Sequence, residues 1–269
     1  MPAVQLSRLR NQITTLSWKF TRPEEFRHDL KELLEFYGQR VYRAGQSLKP
    51  AQRIPAYHVP ALVLRQLELE LVQFCNENPS AALAVADALW QDNYLETKMM
   101  AAYILGQVPE SETNHVIERF KNWCQQNEDR NVINILLERG SSRIRKKAPD
   151  KWLNLIQNWL NNHVVTYQRL GLRALLPLIN DKEFDNLPPV FVMLSPIFQN
   201  YPKALQTELS DLAEALAKHS PAETSYFLRQ ILSITENSNT ARMIRQILPG
   251  LPAELQENLR KTIKNMPSS

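Results

Sequence analysis

Two arginines stand one helical turn apart in the stretch VVTYQRLGLRALLPLI, residues 164–179. Leu170, Leu172, Leu175, Leu176 and Ile179 give the segment the apolar positions of a packed helix. Side chains four residues apart share one helix face, so Arg169 and Arg173 lie side by side. No acidic residue falls between His163 and Asp181 to neutralise them locally. A fixed pair of guanidinium groups without a counter-charge is suited to phosphate, whose oxygens accept charge-assisted hydrogen bonds.

A second concentration of cations lies in ERGSSRIRKKAPDK, residues 138–151, where Arg139, Arg143, Arg145, Lys146, Lys147 and Lys151 face only Glu138 and Asp150. Gly140 and two serines precede it, which places it at a turn between helices. Serine hydroxyls and backbone N–H groups near a helix start, flanked by cations, are a plausible phosphate cradle. The alternative is an ordinary solvated turn.

The elements that carry these residues repeat. YLETKMMAAYILG (94–106), TYQRLGLRALLPL (166–178) and NTARMIRQILPG (239–250) each pair a polar start and a basic residue with a dense run of Leu, Ile, Met and Ala. Their basic residues, Lys98, Arg169 and Arg242, are 71 and 73 residues apart. Halving the interval gives a period of about 36, within the range of helical-repeat proteins. It predicts intermediate copies at RNVINILLERG (130–140) and KALQTELSDLAEALAK (203–218), which bring Arg130 and Lys203 into the same row. Arg173 and Arg245 add a second cation further along two of these helices. Partner helices are expected at 114–124, 150–160 and 222–232, with Ser80, Asp150 and Ser220 as N-caps. The chain is read as one HEAT-like α-solenoid domain over 1–269, with an N-terminal helical region at 1–50 and repeats at 51–269. The one substantial loop is 43–60.

Composition agrees. Six glycines against 17 prolines, a content rich in Leu, Ala, Gln and Glu, and no alternating β-branched runs point to an all-α protein. The net charge of +4 is a mild lean toward an anionic partner. Cys75 and Cys124 have no partner at metal-ligand spacing and are expected as buried free thiols. No apolar run approaches the ~18 residues of a membrane span, and the start of the sequence has no signal-peptide core, so a cytoplasmic protein is expected. Phosphate loops, dinucleotide fingerprints, zinc-protease and serine-hydrolase motifs are all missing. His58, His115, His163 and His219 are too scattered to form a metal site, and no cofactor is expected. The tryptophans, Trp152 and Trp159 among them, are read mostly as core.

Three stretches resemble the HEAT-like DNA alkylation repair family, the alkylpurine DNA glycosylases. AYHVPALVLRQLELEL (56–71) resembles the family's aromatic loop leading through a proline into an Arg-containing helix. ALWQDNYLETKMMAAYIL (88–105) is similar to its segment of a tryptophan, an acidic residue and an alanine-rich helix. LNNHVVTYQRLGLRALLPL (160–178) resembles the helix of its functional arginine, which falls on Arg169. The resemblance implies that damaged DNA lies in a concave cleft. There an aspartate and tryptophans stabilise the cationic sugar formed as an alkylated base departs. In this sequence Asn131 falls at the aspartate's position, Gln126 and Asn127 at the tryptophans' and Thr166 where an aromatic precedes the arginine. Glu128 and Asp129 are the carboxylates a register shift would bring in.

The combined reading is a monomeric protein that binds duplex DNA, damaged DNA included, through a basic concave face. Lys98, Arg130, Arg169, Arg173, Arg242 and Arg245 are the expected phosphate contacts, with Arg143, Arg145, Lys146 and Lys147 as a flanking clamp. Asn131, Asp129 and Glu128 are the candidate catalytic positions, with the neutral Asn131 weighing against base excision. The alternatives are an active glycosylase and a protein–protein adaptor.

Overall fold

The computed structural model describes residues 5–38, 54–124, 128–200, 202–234 and 238–264. Residues 43–53 of the expected loop, and Gln126 and Asn127, lie outside them. The described residues are all-α, with no β-strand. The chain divides into two compact units, Met1–Trp152 and Leu153–Ser269.

In the first unit the helices are α1 (Leu6–Ser17), α2 (Pro23–Gly38), α3 (Ala61–Glu77), α4 (Pro79–Trp90), α5 (Leu95–Gln107), α6 (Thr113–Trp123), α7 (Arg130–Ile135) and α8 (Ser142–Lys147). A π-helical turn, Leu136–Gly140, continues α7. Then α9 (Pro149–Leu160) crosses the boundary between the units. The second unit holds α10 (Val165–Ile179), α11 (Pro188–Asn200), α12 (Gln206–His219), α13 (Pro221–Ile234), α14 (Ser238–Ile247) and α15 (Ala253–Lys264).

Within each unit most helices pack on the next but one. In the first unit α1, α3, α5 and α7 form one layer, and α2, α4 and α6 the other. In the second, α10, α12 and α14 form one layer and α11, α13 and α15 the other. This is the packing of stacked helix pairs, in which no pair buries its apolar face alone. The repeated segments read from the sequence fall on α5 and α7, in one layer of the first unit, and on α10, α12 and α14, in one layer of the second. Polar contacts carry the same interval. Tyr103 Oη donates to Glu68 O across 35 residues, and Ser142 Oγ to Gly106 O across 36.

The apolar pattern explains the depth of each helix. In α1 only Leu9, Ile13 and Leu16 are buried apolar residues, a single stripe at helical spacing. In α5, Met100, Ala101, Ala102, Ile104 and Leu105 are buried on all sides, because α3, α4 and the α7 turn surround it. Four tryptophans are core residues, but Trp18 is 77% exposed. Cys75 and Cys124 are buried free thiols, each pushed up to about 12 by burial.

Helix starts differ from the expected caps at two of three places. Ser80 and Asp150 lie inside their helices, one residue after Pro79 and Pro149. Proline takes the first helical position because its missing N–H would have no intrahelical partner there. Ser220 does precede its helix, accepting from Thr224 N through its backbone oxygen.

Gly106 lies in the last turn of α5, where the Arg139 carbonyl of the π-helical turn would collide with a Cβ. Gly106→Ala is expected to cost about 2 kcal/mol or more, because backbone, not a flexible side chain, must yield. Urea unfolding checks it, and an unchanged midpoint would show that the two turns separate freely.

Candidate nucleic-acid interface

Arg169 and Arg173 of α10 face a carboxylate the local sequence does not contain. Glu208, in the first turn of α12, is 4% exposed and receives both guanidinium groups on Oε1. Arg173 Nη2 lies 2.7 Å away and Arg169 Nε 3.2 Å away. Arg169 also donates from Nη2 to Ala204 O at 2.7 Å. Both links span one repeat interval of 35 residues. Arg173 is enclosed, whereas the Arg169 side chain keeps a third of its surface exposed. Its Nη1 has no acceptor among the described residues. A guanidinium held at Nε and Nη2 is fixed in direction and still offers N–H donors outward.

The rest of the row divides by its place in the stack. Lys98 leaves the surface: it is 7% exposed, donates to Trp90 O at 2.9 Å and Glu128 Oε2 at 3.2 Å, and lies 4.4 Å from the Trp90 ring centre. Its ammonium is therefore committed within the protein. Lys98 on α5 reaches a carboxylate just before α7 as Arg173 on α10 reaches one in α12. At these two places a basic residue ties one layer helix to the next. Arg242 lies on α14, the last layer helix of the second unit, and is exposed. Arg130, Lys203 and Arg245 are exposed too. None of these four has an ion pair or side-chain hydrogen bond among the described residues.

Most of the 138–151 cluster is spent on the fold. Arg139 pairs with Glu68 of α3. Arg143 Nη1 donates to Asn76 Oδ1 and Gln107 O, both at 2.6 Å, satisfying the end of α5. Arg145 Nη1 donates to Ser141 Oγ at 2.7 Å and Glu138 O at 3.0 Å. Ser141 Oγ itself donates to Leu137 O, so the expected serine cradle is turned inward. Lys151 reaches Asn114 Oδ1 at 3.3 Å. Lys146 and Lys147 are exposed, and Lys147 has no partner among the described residues.

The candidate catalytic positions are separated in role. Glu128 pairs with Lys98. Asp129 is the N-cap of α7, accepting from Asn131 N at 2.8 Å. Asn131 lies exposed in the first turn. Neither carboxylate is uncommitted. Trp123, a few residues before them, stacks on Trp90 at 4.5 Å, and both are buried.

The aromatic loop before α3 is held by Glu96, a buried residue missed in the sequence. Its carboxylate accepts the N–H groups of Tyr57 at 2.9 Å, His58 at 2.7 Å and Val59 at 3.4 Å. His58 takes φ 57° to turn its N–H inward, a left-handed conformation that these bonds sustain. Tyr57 stacks on Tyr94 at 4.1 Å. Burial first, then Glu35, Tyr94, Asp92 and Glu96, push the Tyr57 hydroxyl well above its usual range. Asp92 is likewise buried, with Oδ1 3.5 Å from Arg27 and 3.7 Å from Lys31. Glu208 and Glu128 had a signal in the sequence: each stands roughly one repeat after its basic partner. Glu96 had none. A further grouping, His28, Asp29 and Glu32, clusters on α2, where Asp29 is bound by Lys19 at 2.6 Å.

The Lys98–Glu128 pair yields a test of burial. Glu128→Ala strands an enclosed ammonium and is expected to cost about 3 kcal/mol, more than Lys98→Met, which strands a partly solvated carboxylate. Denaturant unfolding of both variants measures the order, and equal or reversed costs would mean that solvent reaches Lys98.

Among the described residues no helix is long and apolar enough to cross a membrane. No curated protein and no solved structure matches the chain at a significant level. The family model described as DNA alkylation repair enzyme matches residues 43–249 of the 269, a span containing α3 to α14 and every cation of the expected row and of the 138–151 cluster. The protein belongs to the DNA alkylation repair enzyme family.

Proposed function

We propose that the protein is a HEAT-like DNA-binding member of this family that holds duplex DNA by its phosphates and lacks base-excision chemistry. The family match carries the reading, since its description names DNA as the object of repair. The geometry of the second unit supports it. Arg169, Lys203 and Arg242 lie in the N-terminal parts of α10, α12 and α14 or just before them, and these helices share a layer. The positive end of each helix dipole adds to the side-chain charge there. Acidic Asp211 and Glu214 are exposed further along α12, which leaves the positive character at its start. Arg245 extends the set along α14, and the first unit offers Arg130 and Lys147 as open cations. Lys98 drops out of the proposed contacts because it is buried with its ammonium bonded within the protein, and Arg143 and Arg145 because each is tied through Nη1 to the end of a helical segment. Arg173 remains as a neighbour of Arg169.

Contacts of this kind recognise the backbone and not the sequence. Arg169→Ala is expected to weaken binding equally for all duplex sequences and to reduce the salt slope by about one unit. Fluorescence anisotropy over a salt series measures both. An unaltered slope would remove Arg169 from the interface.

Excision needs a carboxylate beside the developing sugar cation. Asn131 is neutral, Glu128 is paired and Asp129 caps a helix. Each ~1.4 kcal/mol of lost stabilisation slows a reaction tenfold. Methylated duplex incubated with excess protein is therefore expected to release no methylpurine above the uncatalysed rate. Release abolished by Asp129→Asn would restore the glycosylase reading.

A further inference from the structure

We infer that Glu208 and Arg173 are positioning residues for Arg169, which together make α10 and α12 a preset phosphate clamp of net charge +1. The inference rests on the DNA-binding reading. Two guanidinium groups share one carboxylate oxygen, at 2.7 Å from Arg173 and 3.2 Å from Arg169. A buried carboxylate needs only one cation for neutrality. Arg173 is the shorter and more enclosed contact, so it balances Glu208. The charge on Arg169 is then left uncancelled, while Glu208 and Ala204 O still fix its direction through Nε and Nη2.

Each partner has a distinct task. Glu208 removes the freedom of a long side chain, so that less conformational entropy is lost when phosphate binds. Arg173 prevents the same carboxylate from neutralising the residue it orients. Neither needs to touch DNA. A purely structural network joining α10 to α12 would have no reason to hold two arginines where one suffices for charge. It would also leave binding indifferent to which arginine is kept.

The test turns on a sign. Glu208→Gln raises the local charge by one. If Glu208 only subtracts from a positive surface, duplex affinity rises and the salt slope steepens. If Glu208 positions Arg169, affinity falls about tenfold despite the added charge, and the slope falls toward that of Arg169→Ala. In an Arg169→Ala background the same change is expected to cause no further loss, because the residue it orients is already gone. Affinity equal to or above wild type in folded Glu208→Gln protein overturns the inference.

Arg173→Gln supplies a second measurement should Glu208→Gln fail to fold, because Glu208 then keeps Arg169 as its cation. Its expected effect is weaker binding with a slope lower by about one unit, although Arg173 is enclosed. Unchanged affinity and slope overturn the clamp. The probe throughout is a short unmodified fluorescent duplex, with circular dichroism confirming the fold of each variant. Wild-type protein that ignores this duplex refutes the DNA-binding reading itself. Binding by wild type with unaltered variants refutes the clamp alone.

Discussion

A charged side chain buried between the helices of a stacked layer must meet a counter-charge there. Desolvation makes an unmatched buried charge too costly to keep. That constraint organises the molecule. Lys98 reaches Glu128 and Arg173 reaches Glu208, each link running from one helix of a layer to the start of the next. In the opposite layer Arg119 of α6 reaches back to Asp87 in the last turn of α4, at 2.5 Å. The repeat interval is therefore written twice, in the apolar runs that stack and in the ion pairs that cross between them.

The constraint also shows which cations remain available. A basic residue buried against neighbouring helices is consumed by them, as Lys98 is. Arg242 lies on the last layer helix of its unit and is consumed by nothing described. Arg169 is intermediate, engaged at two nitrogens while a third of its side-chain surface stays exposed. Chemistry that depends on surplus positive charge can use only what stacking leaves over. In the second unit that surplus lies toward the starts of three helices of one layer.

The sequence made the helices and their interval legible, because period and proline placement are local properties. The segments carrying Lys98 and Arg130 fall on one layer of the first unit, and those carrying Arg169 and Arg242 on one layer of the second. Burial was less legible. The absence of acid between His163 and Asp181 was read as an invitation to phosphate, yet Glu208 supplies the acid from the next repeat. The cluster at 138–151 looked like a cradle, but a π-helical turn sends Ser141 inward, and Arg143 and Arg145 are bound to carbonyls of helix ends. Nothing in the spacing of Glu96 announced that it gathers three consecutive N–H groups of a loop 37 to 39 residues earlier. Counter-charges are tertiary facts, and a one-dimensional charge run cannot state them.

The central claim is that surplus cations of the stack bind nucleic-acid phosphate. The most direct measurement is wild-type affinity for a short unmodified duplex, by anisotropy at about 50 and about 200 mM salt. Four phosphate contacts from Arg169, Lys203, Arg242 and Arg245 imply a loss of roughly a hundredfold over that interval, alike for unrelated sequences. Failure to bind at the lower salt, or binding indifferent to salt, would contradict the claim.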